Sequence, residues 1–416
     1  MNQKLSLDAT LLIKNAKLLN EDRIVDIYIE DGKFKIIKEN LHINADVVID
    51  VEGNIITPTF VDPHLHIDKA FTFESRRVGK EETLEESIRL MHDIKKHYSK
   101  EDVKKRAIRA IKDSIKFGVT IIRAPIDVDN YCNLTALEGA ILAKDEMKNF
   151  VDLELVAFPQ EGIFCNEGTE KLMVQAVEMG ADVVGGMPAA EWIDEESKKH
   201  VDYVFELAKK FNLDIDMHVD QTKDYFARSL EYIAYKTIKE NYFGRVTAAH
   251  CTSLSYQNNA HAKKVIELLK IANLNICVNP QVLLIMGIDK EPRTRGLTRV
   301  RELVEEGVNV AIGQDTISDG FHLFGTGDPL DYGLLFAYAA QYNSINKVEK
   351  IFDMITYNGA RILRLKNYGI KEGNPADFNI LFCKSACEAL RLRPGRLVFK
   401  NGRLLAKFDK KEEVYF

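Results

Sequence analysis

Short apolar runs alternate with charged stretches through the middle of the chain, from residue 59 to residue 316. The apolar runs are rich in Val and Ile, as buried strands are, and the charged stretches carry apolar residues at helical spacing. A strand followed by a helix, repeated many times, is typical of an α/β protein with a parallel sheet. The candidate strands are residues 59–68, 119–129, 152–162, 181–189, 213–221, 245–253, 274–282 and 308–316. These eight repeats predict a closed (β/α)8 TIM barrel rather than an open sheet.

A different pattern occupies both ends of the chain. Between residues 10 and 58, short β-like segments are separated by turn signals such as those at Gly32 and Gly53. The same pattern returns after about residue 370, with a hairpin signal at Asn401-Gly402. It predicts one small β-sandwich domain formed from both chain termini, with the barrel as a large insertion. The predicted domains are residues 1–58 and 366–416 for the two parts of the β-sandwich and residues 59–365 for the barrel.

The composition narrows the class of protein. Hydrophobic residues make up 46% and charged residues 29% of the 416 residues, which is typical of a globular protein. The net charge is −6 and basic residues are interleaved with acidic ones, so no basic stripe predicts a nucleic-acid partner. Neither a signal-peptide pattern nor an uncharged apolar run of membrane-spanning length is found, which predicts a cytoplasmic protein without a membrane partner. The six cysteines are scattered and are predicted to be reduced.

Candidate chemistry lies where the barrel strands end, because the working groups of TIM barrels sit at the carboxyl ends of the strands. Those ends carry His64, His66, Gln160, His218, His250 and Asp315. His64 and His66 are two apart on an extended segment, so both imidazoles project from the same side. Three imidazoles and a carboxylate around one divalent ion leave an open position where water is activated. The pattern therefore predicts a metal-dependent hydrolase, with zinc and iron both compatible with nitrogen-rich ligation.

Histidines outside the strand ends serve as a comparison. Four of them, which we expect to be solvated, lie in charged helical stretches: His92, His97, His200 and His261. His322 follows the last strand, where a role at the barrel mouth is open. Unlike His64 and His66, His250 has no second candidate ligand close to it in the sequence. It has two interpretations, a packed side chain beside Cys251 or a group that polarises the reacting centre.

Several longer segments together carry a resemblance to a known family. They are TPTFVDPHLHIDKAF, LELVAFPQEGI, GADVVGGMP, IDMHVDQ, RVTAAHCTS, NPQV followed by RTRGLTRVREL, and NYGIKEGNPADFNIL. With them the chain resembles the amidohydrolase superfamily, and more narrowly the bacterial cytosine deaminases, along nearly its whole length. The resemblance implies a hydrolase that attacks a C–N bond of a small nitrogen heterocycle.

The resemblance also implies roles for individual residues. The metal ligands would be His64, His66, His218 and Asp315, and Asp315 would also take the proton from the attacking water. His250 would contact that water or the carbonyl-like centre, and Gln160 would hydrogen-bond the edge of the heterocycle. Two-metal relatives carry a bridging lysine after strand 4, where this chain reads GGMPAAEW, so one metal ion per chain is implied.

Three positions depart from the cytosine deaminase pattern. Gln221 stands where those enzymes have a glutamate that shuttles a proton, and an amide cannot do so. Thr316 replaces the second aspartate of a pair, and Phe321 falls where a tryptophan is usual. A triazine relative, N-isopropylammelide isopropylaminohydrolase, also lacks the shuttle glutamate and continues its first motif into Asp-Lys, as Asp68-Lys69 does here. Lys69 itself is predicted to be a solvated charge at the barrel rim.

Three functions follow from these observations. The first is a cytosine deaminase-like aminohydrolase with an altered substrate, in which Asp315, His250 and Gln221 act on the reacting centre and Thr316 and Phe321 help to bind the substrate. The second is hydrolysis of a cyclic amide or imide, or of an N-alkylamino triazine. The third is a non-catalytic binding relative, which the presence of all four ligands disfavours. Formation of a homo-oligomer is left open.

Overall fold

The computed structural model describes residues 9–19, 23–75, 84–285 and 296–411. The strands, in chain order, are β1 (Leu11–Leu18), β2 (Ile24–Glu30), β3 (Lys33–Lys38), β4 (Val47–Asp50), β5 (Ile55–Pro58), β6 (Phe60–Asp62), β7 (Val119–Asp127), β8 (Asp152–Phe158), β9 (Val183–Gly186), β10 (Asp214–Val219), β11 (Val246–His250), β12 (Asn275–Val278), β13 (Asn309–Ile312), β14 (Phe378–Leu381), β15 (Arg396–Lys400) and β16 (Arg403–Phe408).

The helices lie mainly between the barrel strands. They are α1 (Thr72–Ser75), α2 (Leu84–Lys95), α3 (Lys100–Lys116), α4 (Thr135–Met147), α5 (Thr169–Met179), α6 (Asp194–Phe211), α7 (Ser229–Lys239), α8 (Asn259–Ile271), α9 (Pro280–Ile285), α10 (Val300–Glu305), α11 (Pro329–Ala339), α12 (Ile345–Met354), α13 (Tyr357–Ile362) and α14 (Ala386–Leu392). Short 3-10 turns lie at Pro188–Ala190 and Thr252–Ser255. In the part of the chain that the structure describes, no helix is both long enough and apolar enough to span a membrane.

The described residues contain an eight-stranded parallel sheet, β6 to β13 in sequence order. The first and last strands meet beyond their ends, where Leu65 bridges Asp315 in parallel register. The Asp315 N–H donates to the His64 carbonyl (2.8 Å) and the His66 N–H donates to the Asp315 carbonyl (2.7 Å). The predicted TIM barrel is therefore confirmed, and each of the eight predicted strand segments contains one observed strand. The observed strands end earlier than predicted, because the residues that turn into the barrel mouth leave the regular ladder.

Both ends of the described chain share the second sheet. Its order is β16-β15-β14-β5-β1-β2-β3, with β4 paired to β1. The apolar side chains of this sheet form their own core, which includes Ile13, Phe34 and Phe378. This confirms a small terminal β domain built from both ends of the chain. The domain limits at residues 58 and 365 stay predictions.

A buried ion pair joins the terminal sheet to the barrel. Arg396 on β15 contacts both carboxylate oxygens of Asp328 at 2.9 and 3.0 Å. Asp328 is also the N-cap of α11, because its side chain accepts a hydrogen bond from the Leu330 N–H. The guanidinium is fully buried, so this bidentate contact fixes how β15 sits against α11.

Candidate metal centre and substrate pocket

Five side chains converge at the carboxyl end of the barrel. They come from the segment after β6, from β10, from the end of β11 and from the segment after β13: His64, His66, His218, His250 and Asp315. All five are buried. The structure thus brings together every residue for which the sequence predicts a role at the metal.

The ring nitrogens lie at the spacing of ligands around one ion. His218 Nε2 lies 3.2 Å from His64 Nε2 and 3.0 Å from His66 Nε2. Asp315 Oδ1 lies 3.5 Å from His66 Nε2 and 3.8 Å from His64 Nε2. Ligands that bind zinc tetrahedrally at about 2.0–2.1 Å are separated by roughly 3.3 Å. The cluster therefore fits a divalent metal ion.

The imidazoles are held neutral, as metal ligation requires. Burial, followed by the charges of Lys69 and Arg123, lowers the pKa of His64 to about 3. Burial holds the pKa values of His66 and His218 well below their ordinary range, and the repulsion that a second positive charge would meet from Lys69 and from a protonated neighbouring imidazole adds to it. Each ring can therefore offer a lone pair without first losing a proton.

His250 stands beside this cluster. Its Nδ1 lies 3.8 Å from Asp315 Oδ2, whereas His64 and His66 lie close to the other carboxylate oxygen, Oδ1. One ligand atom from each of His64, His218, His250 and Asp315 lies within 4.8 Å of the other three. The structure thus places the buried His250 ring beside the cluster, and its role at the reacting centre stays a prediction.

The cluster faces a pocket. Its lining combines five apolar side chains with eight polar or ionisable ones: His66, Lys69, Ile88, Phe158, Gln160, Met187, His218, Gln221, His250, Val282, Asp315, Thr316 and Phe321. Phe158 stacks on the His218 ring, with centroids 4.0 Å apart. A pocket that combines apolar walls with convergent polar groups is typical of a site for a small molecule.

The predicted substrate residues all reach this pocket. Gln160, Gln221, Thr316 and Phe321 line it, so the structure places each of them where it could meet a ligand. Phe321 is held by Asp319, whose carboxylate accepts the Phe321 N–H at 2.9 Å. Their roles stay predictions. His322 does not line the pocket, because its buried ring lies 3.3 Å from the Thr316 carbonyl inside the loop.

Lys69 is not the solvated rim charge that the sequence predicts. It is 1% exposed, and its Nζ forms an ion pair with Asp127 Oδ1 at 2.8 Å. The ammonium also donates to Gln160 Oε1 and lies 3.3 Å from His66 Nδ1. Burial lowers the pKa of Lys69, but the charges of Asp127 and Asp68 outweigh it, so the pKa ends above its ordinary value and the group stays charged. Lys69 is therefore a buried, charged residue of the pocket lining.

A second buried lysine continues this network toward α2. Lys95 Nζ lies 3.1 Å from Asp127 Oδ2, 2.6 Å from Asp129 Oδ2 and 2.7 Å from Glu161 Oε1. His92, one turn earlier on α2, contacts Glu161 Oε2 at 2.7 Å. Because α2 also supplies Ile88 to the pocket, these ion pairs fix one wall of the pocket to the ends of β7 and β8.

His200 is a further correction. The sequence predicts a solvated side chain, but the ring is fully buried. Its Nδ1 contacts Glu191 Oε1 at 2.7 Å, and its Nε2 accepts the Met187 N–H at 3.0 Å. The charged residues around it in α6 point outward, whereas His200 occupies the inner face, which the helical spacing of Val201 and Val204 could have indicated. It thereby positions Met187 in the pocket wall.

Comparison with known proteins identifies relatives across almost the whole chain. N-isopropylammelide isopropyl amidohydrolase from Pseudomonas sp. (strain ADP) is 31% identical over 97% of this chain and 98% of its own length. Pterin deaminase from Rhizobium rhizogenes is 26% identical over 91% of this chain and 87% of its own. A solved structure of 5-methylcytosine deaminase from Klebsiella pneumoniae, liganded with 5-fluorocytosine, superposes with a TM-score of 0.92 and 31% identity, covering 97% of this chain and 99% of that one.

The profile of the amidohydrolase family matches residues 73–406, most of the chain. That match and the full-length likeness to an amidohydrolase agree with the barrel, the terminal sheet and the buried His/Asp cluster described above. The chain belongs to the amidohydrolase family, enzymes that hydrolyse non-peptide C–N bonds.

Proposed function

We propose that this protein is a metal-dependent aminohydrolase that replaces an amine on a ring carbon of a small nitrogen heterocycle with the oxygen of water. One observation carries the proposal: the buried cluster of three Nε2 atoms and a carboxylate opens onto a pocket that combines apolar side chains with polar groups. The relatives named for a deaminase and for an alkylamine-releasing hydrolase support it, since both displace an amine.

The proposed ligands are His64, His66, His218 and Asp315, holding one zinc or iron ion per chain. Their four measured separations, 3.0 to 3.8 Å, match the edges of one coordination shell. When bound, the ion supplies an electrophile that makes water a usable nucleophile near neutral pH.

The protein's own residues would then handle the proton. A carboxylate oxygen of Asp315 takes the proton from the attacking water and passes it to the leaving amine. His250, 3.8 Å from Asp315 Oδ2, donates a hydrogen bond to the same reacting atoms. The balance is one water consumed and one amine released for each ring carbon hydroxylated.

Gln221 favours a substrate other than cytosine. It lines the pocket at the end of β10, where a carboxylate would be needed to carry a proton to a ring nitrogen. Removal of an alkylamine from a triazine, the reaction named for the relative from Pseudomonas sp., is therefore the second candidate. Opening of a cyclic amide or imide remains the alternative in which Asp315 alone transfers the proton.

The first experiment is a screen of the zinc-loaded and iron-loaded protein for release of ammonia or an alkylamine. The compounds are aminopyrimidines, amino- and alkylamino-triazines, pterins and cyclic ureas, with an Asp315→Asn variant as the blank. We expect at least one ring amine to be hydrolysed and the variant to be inactive. Ring opening of a cyclic urea with no amine released from any other compound would refute the aminohydrolase in favour of the amide alternative.

The second experiment tests Gln221. Gln221→Glu restores a carboxylate, and proton transfer by a positioned group is worth about 10²- to 10⁴-fold. We expect kcat/KM for cytosine to rise by an amount in that range and kcat/KM for the native substrate to fall, because a charge replaces a neutral partner. Gln341→Glu, at an exposed position outside the pocket, is the matched control. If the Gln221 variant changes neither value, Gln221 does not face the substrate.

A further inference from the structure

We infer that Lys69 fixes the Gln160 carboxamide with its NH2 group toward the substrate, so that this edge of the pocket accepts a ring carbonyl and rejects a ring amine. The inference rests on the proposed function, because it names the class of heterocycle that the proposed site takes: one with an oxo group beside the reacting carbon. It gives Lys69 the role of a positioning residue that acts through Gln160.

The argument starts from the donor inventory of the two groups. A lysine ammonium has three donors and no acceptor, whereas a carboxamide has one oxygen acceptor and one NH2 donor. Lys69 Nζ donates to Gln160 Oε1, so the amide oxygen is the atom turned toward the lysine. The amide nitrogen is therefore the atom that Gln160 presents to the pocket it lines. Reversing the amide would set its NH2 group against the ammonium.

The ammonium itself has little freedom to move. Asp127 Oδ1 holds it at 2.8 Å, and both side chains are almost completely buried. Asp127 is in turn held by Lys95, whose Nζ lies 3.1 Å from Oδ2, and its backbone N–H donates to Asp68 Oδ2 at 3.0 Å. The Phe158 ring lies 5.3 Å from the Lys69 nitrogen and closes another side. A buried, fully held cation makes the orientation of the amide a fixed property of the pocket.

Selectivity follows from what each ring substituent would meet. A carbonyl oxygen accepts from the Gln160 NH2 group. An exocyclic amine at the same place sets donor against donor and leaves both without a partner. A buried group left unpaired costs about 1–3 kcal/mol, which corresponds to roughly 10- to 100-fold in affinity.

The test compares ligand pairs that share the reacting amine and exchange ring carbonyls for amines, one in the pyrimidine pair and two in the triazine pair. The probes are cytosine with 2,4-diaminopyrimidine, and ammelide with melamine, titrated calorimetrically into the metal-loaded full chain. We expect the wild type to prefer the oxo compound by about 10- to 100-fold in Kd. A probe that the loaded protein hydrolyses reaches no binding equilibrium, so for such a pair the ratio is taken from kcat/KM instead of Kd.

Two variants separate positioning from mere structural support. Lys69→Met frees the amide to rotate, and Asp127 keeps Lys95 as its partner, so the Kd ratio should fall toward one. Gln160→Glu replaces the neutral amide with a carboxylate, which has acceptors on both oxygens and no donor, so it presents an acceptor to the pocket and the preference should invert toward the amine. Lys144→Met is the control. Lys144 lies on α4 and forms a partly exposed ion pair with Asp182, so its removal should leave the Kd ratio unchanged.

Each outcome decides. A ratio near one in the wild type, or an unchanged ratio in Lys69→Met together with no inversion in Gln160→Glu, overturns the inference. Equal weakening of both members of a pair in Lys69→Met, with the ratio kept, assigns Lys69 a structural role and also overturns it. If the amine-release screen fails while the ratio behaves as expected, the proposed function falls and the assignment of the amide stands.

Discussion

Replacing Glu191 by glutamine should weaken the pocket wall without touching the metal cluster. The Glu191 carboxylate accepts hydrogen bonds from the backbone N–H groups of Ile163 (2.6 Å) and Cys165 (2.8 Å), and it is paired with His200. It thereby ties the loop that carries Gln160 to the inner face of α6. A glutamine side chain has one acceptor and one donor at its end, so one of these N–H groups would face another donor.

The size of the effect follows from the pKa. Burial alone would raise the pKa of Glu191, but the hydrogen bonds from His200 and from the Ile163 backbone outweigh it and bring the pKa to about 2. A change from the ordinary value of 4.5 to about 2 corresponds to roughly 3 kcal/mol of stability at pH 7. For a chain of 416 residues, this amounts to a fall of about 3 °C in Tm.

The direction of the Glu191 pKa shift determines how its contribution to stability depends on pH. Because the folded-state pKa lies below the unfolded one, the stabilisation is fully present above about pH 4.5 and is lost as the pH falls toward 2. Because His200 takes up a proton less readily without Glu191, the Tm difference between wild type and Glu191→Gln should not shrink from pH 7.5 to about 5, and it should narrow as the pH falls from about 4.5 toward 2.

Differential scanning calorimetry at several pH values measures this difference. Glu146→Gln, which breaks an exposed ion pair with Lys104, is the matched control and should change Tm by less than about 1 °C. A Glu191 variant as stable as the wild type at pH 7, or a Tm difference that does not narrow in acid, would refute the reasoning.

Three further predictions concern the metal cluster and the ion pair between Arg396 and Asp328. His218→Ala should lose both bound metal and activity, and unchanged metal content by elemental analysis would contradict the ligand assignment. Arg396→Met leaves Asp328 buried and unpaired, so Tm should fall by roughly 3–6 °C, whereas Arg393→Met, at a half-exposed ion pair, should change it by under about 1 °C. Zinc binding at pH 6 should release close to no ligand protons, because the pKa of His64 is about 3 and those of His66 and His218 are also low. Titration in buffers of different ionisation enthalpy measures this, and release of about two protons, the value for ordinary histidines, would refute it.

The barrel could be predicted from sequence because its signal is repeated. Each Val- and Ile-rich run is buried on both faces, and each helix keeps an apolar stripe, so the period of the pattern fixes both element types. The site followed from position along those strands: residues at the carboxyl ends of β6, β10, β11 and β13 must meet once the barrel closes. The ends of the strands were overestimated, because sequence alone does not show where a residue leaves the ladder to face the mouth.

What the sequence could not show is which charged residues are turned inward. Lys69 and His200 have polar neighbours in the sequence, which suggests that they are solvated. Each is nevertheless buried, because Lys69 pairs with Asp127 and His200 pairs with Glu191. Those partners lie 58 and 9 residues away, and only the fold brings them together. The Asp-Lys continuation of the first motif was the one signal that could have marked Lys69 in advance.

The hydrogen bonds that close the barrel also hold Asp315 in a strained backbone conformation. His250 and Asp315 both have positive φ, 69° and 71°, a conformation that costs a non-glycine residue free energy and persists only where the surroundings hold it. Asp315 is held by its two backbone hydrogen bonds to His64 and His66, which are also the bonds that join the last strand to the first. An open barrel would therefore release the strain, turn the Asp315 carboxylate away and separate it from the imidazoles. Since the proposed ligands sit on both sides of that seam, a bound ion would strengthen the closure that creates its own site, and metal affinity and barrel stability must be coupled with the same sign.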